Sequence, residues 1–172
     1  MYLRHLVKST GALTLLMMLS GATFALPSDQ DQPIYVEADA AAIDDITGIT
    51  TYTGDVIITQ GSMILKGSKI ELFRGEDQTI NQMISFGAPA YFEQQPQADQ
   101  AITYATGITL DYTIDKQMLL ITGDAKVEQG GDEFTGAKIS YDMTNEQVKA
   151  FSSEGGKQRV QMILQPRSET EQ

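Results

Sequence analysis

Carboxylates are the only side chains here numerous enough to do acid–base chemistry. The 172 residues hold 23 Asp and Glu against 12 Lys and Arg, a formal net charge of −11, with one His, no Cys and no Trp. The single His is His5, near the start. Beyond it, Ser-His-Asp and Cys-His nucleophile machinery lacks its parts. The usual zinc and copper ligand sets are missing too. Two carboxylates could still serve a hydrolase as acid and base. Their spacing singles out no pair, so no catalytic residue, metal ligand or cofactor site is assigned. Absence of Trp weakens a lectin reading based on sugar stacking. The chain has no G-x-x-x-x-G-K-[ST] phosphate loop.

What the sequence does carry is a repeated frame. Thr53–Ile70, TGDVIITQGSMILKGSKI, falls without a gap on Thr122–Ile139, TGDAKVEQGGDEFTGAKI, after a shift of 69 residues. Eight of the 18 positions are identical, among them Gly54/Gly123, Asp55/Asp124, Gln60/Gln129, Gly67/Gly136 and Lys69/Lys138. Gly-Asp and Gln-Gly mark places where a chain turns or bulges. The repeat is thus a backbone plan. Ala125 and Val127 alternate with Lys126 and Glu128, so the first pair faces inward and, by register, so do Val56 and Ile58. Each copy reads as two strands turning near Gln-Gly and again near the third shared Gly.

The same period of two runs through the rest. Pro33 opens an expected edge strand, Ile34–Glu37. Tyr52 joins the face of Val56 and Ile58. Ile108, Leu110, Tyr112 and Ile114 alternate with Thr109, Asp111 and Thr113, and Val160, Met162 and Leu164 form a last strand. Ala40–Ala42 could seed a helical turn. Leu26–Gln32 reads as a polar leader, Gln94–Gln100 as a polar loop and Ser152–Gly156 as a flexible one. About a dozen or more short strands without a convincing helix indicate an all-β sandwich, barrel or jelly roll.

The first 25 residues have the layout of a cleaved secretion signal. Arg4, His5 and Lys8 precede the apolar run Gly11–Leu19, and Thr23-Phe24-Ala25 ends it with small residues at the cleavage positions. The run is short for a membrane span, which needs roughly 20 apolar residues; an uncleaved anchor is the alternative. Three segments result: signal 1–25, one β domain 26–164 and a polar tail 165–172. Loss of Arg4 and Lys8 leaves 10 basic against 23 acidic residues, a net −13. That argues against nucleic acid as a partner, and equally against electrostatic docking on anionic membrane surfaces.

The repeated TGD…QG…G…KI hairpins, PIYVEAD near the start and GAPAYFEQ in the middle together resemble the periplasmic lipopolysaccharide-transport bridge family, LptA/OstA. The resemblance covers nearly all of residues 32–164. It implies a twisted, V-shaped antiparallel β-jelly roll of two sheets, open at its ends, whose apolar slot holds the acyl chains of lipid A. It further implies head-to-tail copies reaching from an inner-membrane-anchored LptC-like protein to an outer-membrane LptD-like barrel. Family lipid contacts fall here on Ile34, Val36, Phe92, Tyr112 and Ile114. Strand addition would use Ile34, Tyr35 and Val36 on one edge and Val160, Met162 and Leu164 on the other.

The physics of such a slot can be stated separately. Keeping a twelve-carbon chain out of water takes apolar cover worth roughly 10 kcal/mol, at about 0.8 kcal/mol per methylene. Inward strand faces could supply it through Ile34, Val36, Tyr52, Val56, Ile58, Leu65, Leu110, Tyr112 and Ile114, with Met63, Met118 and Met162 as adaptable fillers. Each of these positions serves equally well as ordinary core. A membrane-tethered β domain of the same pathway and a structural or polysaccharide-binding envelope protein remain as alternatives.

Overall fold

The computed structural model describes residues 29–95 and 100–166. The expected signal 1–25 and all but Gln165 and Pro166 of the expected tail lie outside the described residues. A 3-10 turn at Asp29–Asp31 precedes the first strands, β1 (Tyr35–Glu37) and β2 (Ala40–Asp44). Six long strands follow: β3 (Ile49–Gln60), β4 (Met63–Arg74), β5 (Ile80–Gln94), β6 (Thr103–Thr113), β7 (Met118–Gln129) and β8 (Asp132–Asp142). The described chain closes with β9 (Gln147–Phe151) and β10 (Gln161–Ile163). All strand pairs are antiparallel, in the order β1-β3-β4-β5-β6-β7-β8-β10, with β2 also on β3 and β9 also on β8.

Three expectations need correcting. Ala40–Ala42 is not a helical turn; it lies in β2, pairing Ala40–Asp44 with Thr53–Ile49. Its alanines follow the ladder offered by β3, since tertiary pairing overrides a weak local propensity. Part of the loop at Ser152–Gly156 is a second 3-10 turn, Glu154–Gly156. In place of the dozen or more short strands, the described residues form ten, six of them 11 to 15 residues long, because the third shared Gly does not turn the chain. At Gly67 and Gly136 the strand bends and continues.

These bends form one line. Register shifts fall between Thr53/Val56 on β3, Lys66/Lys69 on β4, Phe86/Ala90 on β5, Thr106/Thr109 on β6 and Thr122/Ala125 on β7. Each shift lies beside the next, so the sheet is creased across six strands, with a glycine in every one: Gly54, Gly67, Gly87, Gly107, Gly123 and Gly136. The Thr-Gly-Asp repeat is the crease on β3 and β7. Gly54 and Gly123 take φ of +82° and +77°, and Asp55 and Asp124 follow at +41° and +47°. This is bulge geometry, where one strand spends an extra residue and turns sharply.

The crease also resets which residues face in. On β4 the buried set changes from Met63 and Leu65 to Ile70 and Leu72, and on β6 from Thr103 and Ala105 to Leu110 and Tyr112. The parity switch explains a miss: Ile108, read as inward, sits just past Gly107 on the outer side and is 53 % exposed.

Folding at the crease makes two leaves. The first contains 56–60, 63–66, 90–94, 103–106, 125–129 and 132–136, bordered by β1 and β10. The second contains 49–53, 69–74, 80–86, 109–113, 118–122 and 138–142, bordered by β2 and β9. The leaves face each other: the ring of Phe92 on the first meets that of Tyr112 on the second at 5.4 Å between centroids.

Candidate functional site

The expected lining residues come together between the leaves. Val56, Ile58, Leu65, Phe92, Leu110 and Tyr112 are 0–2 % exposed and Ile114 is 8 %. Ile34, Val36 and Tyr52 are half-buried and pack against this cluster from its border. Apolar faces pack against each other because each Å² removed from water is worth about 25 cal/mol. The inward faces of the two leaves are therefore packed against each other along their middle, as a core is. Of the methionines read as fillers, Met63 is buried, Met118 half-buried and Met162 exposed.

The edge residues are placed at the two ends of the strand order. Tyr35 and Val36 lie in β1, with Ile34 just before it; Met162 lies in β10, flanked by Val160 and Leu164. Each of these strands pairs on one side only among the described residues, β1 with Ile57–Thr59 of β3 and β10 with Glu133–Thr135 of β8. Tyr35 is 67 % exposed and Leu164 60 %. The sequence missed that β2 and β9 are edges as well, because β2 had no strand pattern of its own.

Opposite the crease is the mouth, where the free ends of the leaves meet, and its chemistry is polar. Gln94 of β5 pairs in register with Thr103 of β6, and Thr103 with Gln129 of β7. Gln60, Gln94 and Thr103 are buried. From the second leaf, the Tyr141 hydroxyl donates to Gln129 Oε1 at 3.3 Å and lies 3.5 Å from Thr103 Oγ1. Burial pushes the Tyr112 hydroxyl up to about 12; the neighbouring Gln94 amide draws it down by less. No Lys or Arg belongs to this row.

Charge lies on the outer surface instead. Lys126 Nζ is 2.8 Å from Glu128 and 2.9 Å from Glu133 on the second repeat. Hydrogen bonding to Lys126 holds the Glu128 carboxyl below its usual range, and the two carboxylates hold Lys126 above its own. Tyr91 donates to Glu93 at 2.6 Å, and its pKa is raised, chiefly by burial. Among the described residues no group of three or more His, Cys, Asp or Glu is placed to hold a metal ion.

The mouth was only partly legible. Gln60 and Gln129 appear in the repeat as turn punctuation, whereas they are equivalent positions on one polar rim. Gln94 reads as loop in the sequence, whereas it is the last residue of β5. Asp29–Gln32, within the segment that reads as a polar leader, is tied into the mouth: Asp29 Oδ1 accepts from Ser62 N–H at 2.7 Å, and Gln30 Nε2 donates to Ile114 O at 2.7 Å. Identity at the Gln60/Gln129 pair was the one available signal.

Comparison with known proteins agrees with this architecture. Residues 35–147 match the family described as LptA/(LptD N-terminal domain) LPS transport protein. Lipopolysaccharide export system protein LptH of Pseudomonas aeruginosa is 38 % identical over 157 residues, covering 88 % of this chain and 90 % of that one. LptA of Escherichia coli K12 is 31 % identical over 152 residues, covering 88 % and 80 %. The crystal structure of P. aeruginosa LptH, titled the LptA-homologous periplasmic component of the lipopolysaccharide transport device, superposes with a TM-score of 0.74 at 39 % identity. It covers 81 % of this chain and all of that one. A crease, two apolar leaves and unpaired edges on a chain with these relatives lead to one conclusion: this protein belongs to the LptA/LptD N-terminal domain family of lipopolysaccharide transport proteins.

Proposed function

We propose that this protein is a periplasmic, non-catalytic lipopolysaccharide carrier that shields lipid A acyl chains between its two leaves. The observation that carries the reading is the continuous apolar seam from Ile34 and Val36 through Phe92, Tyr112 and Ile114, bounded by crease and mouth. Each leaf covers the apolar face of the other. An acyl chain that parts them exchanges core contact for lipid contact, so opening costs far less than exposing the same faces to water. The Gly-rich crease is where the leaves would hinge.

The unpaired edges support the second half of the proposal. β1 can receive a strand, and β10 can donate one, so copies would add head to tail without closing a ring. The ends of such a filament would meet an inner-membrane-anchored LptC-like protein and an outer-membrane LptD-like barrel. Residues 1–25 would act as the export signal and be removed.

Photo-crosslinking tests the slot. A photoreactive residue at Tyr112 should give a lipopolysaccharide adduct in cells, and one at Thr113, the next residue along β6, should give none. Adducts at both positions, or at neither, would refute an interior path. Ile34→Asp or Val36→Asp should abolish lipopolysaccharide binding; unchanged binding would favour a polysaccharide-binding envelope protein.

A further inference from the structure

The mouth contains a buried polar atom that the protein leaves unpaired. Gln94 is 5 % exposed. Its Nε2 donates to Asp29 Oδ2 at 2.8 Å, while its Oε1 has no partner among the described residues. An orphaned buried acceptor has lost its water without gaining a partner, so its retention asks for an explanation.

The neighbours of Gln94 supply one. Gln60, equally buried, points Nε2 at two peptide carbonyls, Gln30 O at 3.3 Å and Gln32 O at 3.1 Å. Both belong to the N-terminal segment, which straps the mouth. On the first leaf Asp29 accepts from the Ser62 N–H at 2.7 Å and the Ser62 hydroxyl at 2.6 Å. On the second leaf the Gln30 side chain reaches Ile114 O at 2.7 Å. Gly61 makes the cradle: a Cβ there would lie 2.1 Å from Asp29 Oδ1.

We infer that the row Gln60, Gln94, Thr103, Gln129 and Tyr141 is a seat for the amide and ester carbonyls and hydroxyls that join acyl chains to a sugar, and that residues 29–32 fill this seat while the protein is empty. The inference rests on the carrier reading and adds the part of the lipid that is recognised. Gln60 and Gln94 offer amide N–H groups to linkage carbonyls, as Gln60 now does to the strap. Gln94 Oε1 awaits a hydroxyl or amide N–H. The row has no cation, so lipid phosphates are not its ligand. A plain hydrocarbon that displaced the strap would strand Gln60 as well as Gln94. An amphiphile with polar groups just above its chains re-pairs them.

The test compares two probes of equal chain length on the full chain, N-dodecanoyl glucosamine and dodecanoate, by calorimetry. The readout is the ratio of their affinities. Gln94→Leu should lower this preference for the sugar amide about tenfold, and a cooperative urea transition shows that the variant is folded. Should Gln94→Leu not fold, Gln60→Met should lower the ratio in the same direction. An unchanged ratio in the folded variant overturns the seat, as does an equal loss for both probes, which would mean packing damage. Asp29→Ala combined with Gln30→Ala removes the strap and should tighten both probes about fivefold; unchanged or weaker binding overturns the strap's role as occupant. Lipopolysaccharide binding by the unmodified chain with an indifferent Gln94→Leu sinks the seat alone. No binding of lipopolysaccharide or either probe sinks the carrier reading with it.

Discussion

The two copies of the repeat share a backbone and differ in what they hold. Gly54 and Gly123 occupy the same crease, and Val56 and Ile58 match Ala125 and Val127 inside. Outside they diverge: Ile57, Thr59 and Ile64 of the first copy stand where the second has Lys126, Glu128 and Glu133. The hairpin tips diverge too. The first tip, at Gly61 and Ser62, holds the N-terminal strap through Asp29. The second, at Gly131 and Asp132, holds the other end of the chain: Gln165 N–H donates to Asp132 Oδ1 at 2.8 Å and Gln165 Nε2 to Gly131 O at 3.2 Å. Backbone demands were met twice by the same residues because few residues meet them. Outward and tip positions have many solutions, so there the copies came apart.

The interior should break first under mutation. Ile58→Ala should cost about 3–4 kcal/mol and the equivalent Val127→Ala about 2 kcal/mol, since the larger deletion leaves the larger void. Urea unfolding measures both; equal costs would mean that the copies are not packed as paired cores. Next come the crease positions. Gly54→Ala and Gly123→Ala both place a side chain at positive φ, and each new Cβ meets a side chain, Asp39 or Ile108. Each should cost about 1–2 kcal/mol, and a marked difference between them would undo the equivalence of the two bulges.

Smaller effects belong to the mouth and the outer face. Tyr141→Phe removes the hydrogen bond to Gln129 and should cost about 1 kcal/mol, while Leu72→Met, its counterpart in the first copy, should cost under 1.5 kcal/mol and involve no polar term. Lys126→Met should lower stability by no more than about 0.5 kcal/mol, because the cluster is solvent-screened, with Lys126 38 % and Glu128 45 % exposed in their side chains. The sign with pH follows from linkage. Glu128 is lowered, so its contribution is present above the unfolded carboxylate pKa and fades as pH falls through the folded one. Lys126 is raised, so its contribution is present below the unfolded lysine pKa and fades as pH rises through the folded one. The difference between wild type and Lys126→Met in urea midpoint should thus be widest near neutrality and vanish in acid; Ile57→Met in the first copy should show no such dependence.

Much of the fold was readable because strands advertise themselves locally. Alternation placed Val56, Ile58, Leu110 and Tyr112 inside, and the TGD repeat marked the bulges. Ile108 was misread because a crease inverts parity, and no local pattern says whether a glycine turns a strand or bends it. Gly67 looks like a turn in sequence; only the ladder from Lys66–Tyr91 to Lys69–Phe86 shows a strand that continues. The candidate lining was legible as a set of inward residues, but not its closure, which depends on two leaves meeting.

By itself, then, the sequence determined what depends on near neighbours: an all-β chain, its inward faces and its repeated bulges. Tertiary structure alone decided the mouth. Asp29, Gln30, Gln60, Gln94 and Tyr141 are spread over 113 residues of the sequence, and none is unusual where it stands. They become a site only when the crease folds one leaf onto the other, because a hydrogen bond needs its partners within about 3 Å in space and is indifferent to their distance along the chain.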